Sequence, residues 1–121
     1  MEIPKEERIR LTPTGYKKIC QLIDRRASDN NGFLACEMCG RNGNAVVAFH
    51  HHHIRFRSAY GSDTLENLIL LCDKCHAKAH GVEEKAFQKD CLERVNDDYA
   101  GFFNEMYQPE AQEIYKKYRR R

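Results

Sequence analysis

Two pairs of cysteines and two groups of histidines are the residues of this 121-residue chain whose types and spacing could do chemistry. Cys36 and Cys39 form one CxxC, Cys72 and Cys75 a second. Two thiolates separated by two residues reach one ion because the loop between them turns back. Two such pairs complete a tetrahedral shell of four sulfurs. A structural Zn²⁺ is expected there; a redox dithiol, or free thiols in a core, is the alternative for the same residues. In zinc-finger peptides such an ion is worth on the order of 10–16 kcal/mol, comparable to a whole domain's stability, so the fold is expected to collapse without metal. The 32 residues between Cys39 and Cys72 exceed the roughly 15–20 of a simple two-knuckle zinc module. The insert holds a run of four histidines, His50 to His53.

Downstream, His76 and His80 are four residues apart, and on a helix they share one face and can share an ion. Alone that pair is a weak signal. The upstream histidine run strengthens it, because its position after an apolar stretch gives each side chain a fixed direction.

The order His52-His53-Ile54, then Asn67-Leu68, then Leu71-Cys72-Asp73-Lys74-Cys75-His76-Ala77-Lys78-Ala79-His80 resembles the HNH endonuclease motif, a ββα-metal finger. Cys36-Glu37-Met38-Cys39-Gly40 is similar to the zinc-knuckle form of that family. The resemblance covers Phe33 to Gly81 and leaves the flanking segments uncovered. It implies a metal-dependent DNA endonuclease. His52, His76 and His80 take the positions of ligands to one catalytic divalent ion, and His53 that of the general base. Asn67 matches the middle Asn, which in some members pins the loop holding the base and in others binds the metal. Ile54 sets the register. A slip of one residue would instead make His51 the ligand and His52 the base. His50 and His51 have no family role.

The chemistry asks for such a set. A neutral imidazole titrates near pH 6.5 and can take a proton from water at physiological pH. Three imidazoles leave open positions on a divalent ion for a phosphate oxygen and the leaving oxygen. An imidazole shell suits Zn²⁺, Ni²⁺, Co²⁺ or Mn²⁺ better than Mg²⁺, which gains ground if Asn67 is a ligand. Arg55 and Arg57 flank the histidines and are expected to clamp DNA phosphates, with a solvated loop as the alternative. Arg41, Lys74 and Lys78 are weaker candidates for the same contact.

Elements must hold these residues. A helix is expected over Pro13–Ala27, with Thr12 as N-cap, Pro13 at the first helical position, and Tyr16, Ile19, Cys20 and Ile23 as its apolar stripe. Gly40 suits a tight knuckle. Asn42-Gly43-Asn44 reads as a turn and Ala45–Phe49 as a short strand leading into the histidines. A polar loop with Gly61 as its tight point follows. Leu68–Leu71 reads as a buried strand, and Cys72–Gly81 as a helical segment. Helices are expected over Glu83–Val95 and Tyr99–Tyr107, with Pro109 opening a last helix into a basic tail that frays or adds non-specific DNA affinity. Cys20 and Cys91 read as core thiols. Phe102, Phe103, Met106 and Tyr107 are expected to pack the helices together, a partner surface being the alternative.

Composition sets the frame. The hydrophobic fraction is 41% and the charged fraction 31%, as in ordinary globular domains. The apolar runs, Ala45–Phe49 and Leu68–Leu71 among them, are short, far below the roughly 18 residues that span a bilayer. The first residues are charged and lack a signal-peptide block, so a cytoplasmic protein is expected rather than a membrane protein, a secreted precursor or a fibrous chain. The formal charge of +2 falls to zero with four thiolates and one Zn²⁺, so charge distribution matters more than total. Residues 1–60 are basic, 83–113 acidic, and 114–121 basic again.

The expected architecture is α+β: one domain over 1–121, with an N-terminal helical arm (1–32), a zinc-knuckled ββα-metal core (33–81), and C-terminal helices with the basic tail (82–121). Double-stranded DNA is the expected partner. Phage or bacterial origin, with phage packaging proteins as further partners, is implied by the resemblance alone. Two other classes remain open: a non-catalytic zinc-stabilised nucleic-acid-binding module, and a regulatory zinc protein that binds a partner through its acidic helices.

Overall fold

The computed structural model describes residues 8–28, 32–42, 48–59 and 61–120. The element order is α1 (Pro13–Ala27), β1 (Phe49–His53), a 3₁₀ turn (Arg57–Ala59), β2 (Leu68–Cys72), α2 (Asp73–Ala79), α3 (Glu84–Val95) and α4 (Asp98–Tyr118). The fold is a small α+β arrangement in which β1 and β2 form a two-stranded antiparallel sheet. Among the described residues no helix is long and apolar enough to cross a membrane.

β2 explains the layout. All five of its residues are buried, because helices cover both of its faces. Leu68 and Leu70 join Leu11, Ile19, Leu22, Ile23, Ala111, Ile114 and Tyr115 in a core built with α1 and α4. Ile69 and Leu71 point the other way, into a second core with Ile54, Ala79, Cys91 and Val95. The side-chain alternation of a strand produces that split. α1 starts as its sequence requires: the Thr12 side chain accepts a hydrogen bond from the Gly15 N–H and Pro13 opens the helix.

Arg26 ties the layers together. It is 1% exposed, and its five N–H groups all donate. Two go to the Glu37 carboxylate at 2.7 and 2.9 Å, two to the carbonyls of Leu65 and Leu68 at 2.7 Å each, and one to Asn104 Oδ1 at 2.8 Å. Glu37 Oε1 also accepts from the Leu70 N–H at 2.9 Å. α1, the first knuckle, the β2 segment and α4 therefore meet on one buried ion pair.

Four expectations need correction. The strand expected over Ala45–Phe49 is Phe49–His53, so the histidines are the strand rather than its sequel; residues 43–47, with most of the Asn42-Gly43-Asn44 turn, lie outside the described residues. Pro109 does not open a helix. It sits inside the continuous α4, where the carbonyl it leaves unpaired, that of Glu105, belongs to an exposed residue that water can serve. The tail does not fray as far as Arg120. Arg119 bridges to Leu11, and the Arg120 N–H donates to the Arg10 carbonyl at 2.7 Å; Arg121 lies outside the described residues. Finally, Phe102 and Met106 project to solvent at 61% and 51% exposure, and only Phe103 and Tyr107 of that cluster are half-buried.

Candidate functional site

The first CxxC is a turn held by its own backbone. The Gly40 N–H donates to the Cys36 carbonyl at 2.9 Å, and the Cys36 N–H to the Arg41 carbonyl at 2.8 Å. Gly40 takes φ +80°, a conformation that favours glycine. The second CxxC straddles an element boundary. Cys72 ends β2 and caps α2, and Cys75 lies in the first turn of that helix. The four sulfurs converge, all within 4.8 Å of one another.

The donor set fits a tetrahedral ion. Cys39 Sγ and Cys72 Sγ are 3.6 Å apart, against about 3.8 Å for the edge of a tetrahedron with 2.3 Å metal–sulfur bonds. The thiols also couple as a crowded set should. Burial and the charge of Cys36 push Cys75 up, whereas Cys72, although burial opposes its ionisation, is held down to about 7 by the Cys75 N–H and the surrounding thiols. A divalent cation relieves that conflict by taking all four as thiolates.

β1 distributes the four histidines by strand alternation. In the register His50↔Leu71, His51↔Leu70, His52↔Ile69, His53↔Leu68, His50 and His52 share the face of Ile69 and Leu71, and His51 and His53 the face of Leu68 and Leu70. On the first face His52 meets His76 and His80, with one ring nitrogen of each within 4.8 Å of the others. His76 Nε2 and His80 Nε2 are 3.2 Å apart, close to the roughly 3.3 Å edge of a tetrahedron with 2.0–2.1 Å metal–nitrogen bonds. Burial, with the neighbouring imidazoles adding to it, pushes His52 down to about 4. Burial, with His50 and His80, also lowers His76. Both rings are therefore neutral at pH 7 with a lone pair to offer, the form a metal ion requires. His50 stacks on His76 at 4.2 Å between ring centroids.

On the opposite face, His51 Nε2 lies 2.7 Å from Asp24 Oδ1 on α1, and this partner raises it to about 10. His51 is thus held away from the His52, His76 and His80 group. His53 Nε2 lies 2.7 Å from Oδ1 of Asp63, whose side chain is fully buried. The His53 ring is stacked on Tyr16 at 5.7 Å. It also lines a cleft of about 400 Å³ with Leu11, Pro13, Tyr16, Arg57 and Arg120.

Asn67 is spent on backbone. Its Oδ1 accepts from the Arg55 N–H at 2.8 Å, and its Nδ2 donates to the carbonyls of Arg55 and Ser62 at 3.1 and 2.8 Å. It clamps the two ends of the loop after β1 and stands outside the His52, His76 and His80 group. Gly61 makes that loop possible: a Cβ there would lie 1.7 Å from the Arg55 carbonyl oxygen. The arginines are more occupied than the sequence suggests. Arg55 Nε donates to the Ala59 carbonyl at 2.9 Å, and Arg57 Nη2 approaches Asp63 Oδ1 at 3.3 Å while its guanidinium lies over Tyr16.

Two residues at the site escaped the sequence. Asp63 carries no motif and is recognisable only once the loop brings it back to His53. Gln88 of α3 places Oε1 3.1 Å from His52 Nε2, and nothing in its spacing relates it to the histidines.

Residues 36–81 match the model of the HNH endonuclease family, from the first knuckle to the turn after α2. No curated protein and no solved structure matches the chain.

Proposed function

From an HNH core in residues 36–81, we propose that this chain is a metal-dependent endonuclease that hydrolyses phosphodiester bonds in double-stranded DNA. The observation that carries the proposal is the division of labour along β1: one imidazole, His52, joins His76 and His80 in a cluster that could hold a metal ion, while its neighbour His53 is paired with a buried carboxylate. A ligand set alone suits a structural ion, and a binding module has no use for a second, separately oriented imidazole.

Cys36, Cys39, Cys72 and Cys75 hold a structural Zn²⁺ in this reading. A divalent ion held by His52, His76 and His80 would supply Lewis-acid stabilisation of the charge that develops on the phosphate and the leaving oxygen, with Zn²⁺, Ni²⁺, Co²⁺ or Mn²⁺ better suited to the imidazoles than Mg²⁺. His53 accepts the proton of the attacking water. Asn67 keeps the loop after β1 in place, so that the His53 ring and the Asp63 carboxylate keep their distance. Arg55 and Arg57 stand on that loop and attract the phosphate backbone. In this reading the arm (1–32), the core (33–81) and the C-terminal helices (82–121) form one domain, with α1 and α4 packed on one side of β2 and α3 on the other.

Comparing the chain with its His53→Ala variant on a labelled DNA duplex tests this. Cleavage should fall on the order of 10²–10⁴-fold, the usual contribution of general-base catalysis, with duplex affinity unchanged. Binding without cleavage by the unaltered chain under any divalent ion would replace the proposal with a zinc-stabilised nucleic-acid-binding module.

A further inference from the structure

The loop after β1 brings Asp63 to His53 with unusual care. The residues before α1 strap that loop down: the Asp63 N–H donates to the Ile9 carbonyl at 2.8 Å, and the Ile9 N–H to Ser62 Oγ at 3.1 Å. The Asp63 carboxylate is fully buried yet has donors on both oxygens. Oδ2 accepts from the Leu11 N–H at 2.9 Å, and Oδ1 meets His53 Nε2 at 2.7 Å with Arg57 Nη2 at 3.3 Å. These contacts come from the segment before α1 and from the β1–β2 hairpin itself, and Ile9 and Leu11 lie outside the stretch that matches the HNH family.

A carboxylate surrounded by N–H groups can only accept. Burial raises the carboxyl of Asp63, but the contacts with His53, Leu11 and Arg57 outweigh it and hold the group below the ordinary carboxylate range. At 2.7 Å from such an acceptor, His53 Nε2 must carry a hydrogen. The Arg57 Nε–H also points at this nitrogen, at 3.3 Å, and one Nε2 cannot serve both partners; the 2.7 Å contact with the buried carboxylate takes it, and Arg57 keeps Asp63 Oδ1 through Nη2 at 3.3 Å. A neutral imidazole with its hydrogen on Nε2 keeps its lone pair on Nδ1, and Nδ1 has no hydrogen-bond partner among the described residues.

We propose that Asp63 is a positioning residue for His53: its carboxylate fixes the Nε2–H tautomer and, with the Tyr16 ring, the orientation that makes Nδ1 the atom receiving the proton of water. This rests on the nuclease reading for the use of Nδ1, but the tautomer itself does not. After proton transfer the imidazolium carries hydrogens on both nitrogens. The Nε2–H still faces an ionised Asp63, which takes no proton itself.

Asp63→Asn tests it with almost no change of shape. The carboxamide can keep its oxygen toward the Leu11 N–H only by turning its NH₂ toward His53, and an NH₂ facing Nε2 demands the Nδ1–H tautomer. The first measurement is the ring ¹⁵N pattern of His53 in the Zn²⁺-loaded full chain near pH 7.5, assigned by the signals that vanish in His53→Ala. The unaltered chain should show Nε2–H, and Asp63→Asn should show Nδ1–H. The second is duplex cleavage: Asp63→Asn should lose about 10²-fold or more in kcat, with KM and bound Zn²⁺ unchanged. A merely structural Asp63 would instead lower metal content or folding and leave the surviving tautomer alone. A His53 that is already Nδ1–H in the unaltered chain, or an Asp63→Asn variant with the same tautomer and kcat, overturns the proposal. If Asp63→Asn does not fold, the tautomer of the unaltered chain decides. If the unaltered chain cuts nothing, the nuclease reading fails and the ring spectra still decide on Asp63.

Discussion

Replacing Arg26 by Met keeps an unbranched apolar stem and removes the guanidinium with all its donors. Five hydrogen bonds of 2.7–2.9 Å disappear at once, and four acceptors lose a partner: the Glu37 carboxylate, the Leu65 and Leu68 carbonyls and the Asn104 amide oxygen. Each unsatisfied buried group costs about 1–3 kcal/mol, so a simple total would exceed the stability of many domains. The terms do not add, because Glu37 still accepts from the Leu70 N–H at 2.9 Å and water can enter the gap. The loss expected is that of a buried ion pair broken on one side, about 3–5 kcal/mol. For a chain of this size that is roughly 10–20 °C in Tm. The assay is urea unfolding and thermal melting of both proteins at equal, saturating Zn²⁺, so that metal linkage cancels. Arg26→Met combined with Glu37→Gln should cost less than the sum of the two single changes by at least about 1 kcal/mol, because the second change removes the stranded charge. A single-variant loss under about 1 kcal/mol, or strictly additive changes, would refute the view that this pair joins α1, the knuckle, the β2 segment and α4.

Three further outcomes follow from the same geometry. Gln88→Ala removes the carboxamide 3.1 Å from His52 Nε2; calorimetric titration should find the ion at His52, His76 and His80 bound about 10–100-fold more weakly, with the four-cysteine ion still retained. Stripping the four-cysteine ion with a strong chelator, or Cys36→Ser, should abolish far-ultraviolet helix signal and cooperative unfolding together; native spectra from a metal-free chain would contradict this. Cys91 is fully buried and chiefly for that reason pushed up to about 12. Because the thiolate is the reactive form, iodoacetamide at pH 8 should leave Cys91 unmodified in the folded chain and modify it in urea, and rapid modification of the native protein would show the helix packing to be wrong.

What the sequence makes legible depends on how local the deciding physics is. The bounds of α1 can be read because Thr12 and Pro13 settle the first turn between themselves. β2 can be read because four consecutive aliphatic residues have nowhere to go but a core. Most of the two clusters that could hold a metal can be read, because the CxxC pairs and the His76/His80 pair each fix their own loop or helix turn. β1 cannot, since four histidines have little strand preference and pair on the ladder that β2 supplies, with Asp24 of α1, His76 of α2 and His80 at the C-cap of α2 as side-chain partners. Nothing in the sequence sets Arg26 apart from its neighbours until five acceptor contacts from the knuckle, the β2 segment and α4 surround it. Asp63 and Gln88 reach the site through a loop closure and a helix packing that no short spacing announces. Pro109 misleads because its effect on the helix depends on whether water can reach the carbonyl it leaves unpaired.

The central claim is that an ion at His52, His76 and His80 is needed for phosphodiester cleavage while the four-cysteine ion holds the fold. The direct measurement is nicking and linearisation of supercoiled plasmid by a chain whose weakly held ions have been removed by brief EDTA treatment, before and after adding back Mn²⁺, Ni²⁺, Zn²⁺ or Mg²⁺, with the tightly bound ion counted by native mass spectrometry in every sample. The account expects a folded chain carrying one ion that does not cut, and cutting restored by a second ion but not in His76→Ala at the same concentration. Plasmid cleavage by the one-ion chain in EDTA, or a two-ion chain that cuts with none of these metals, would contradict it.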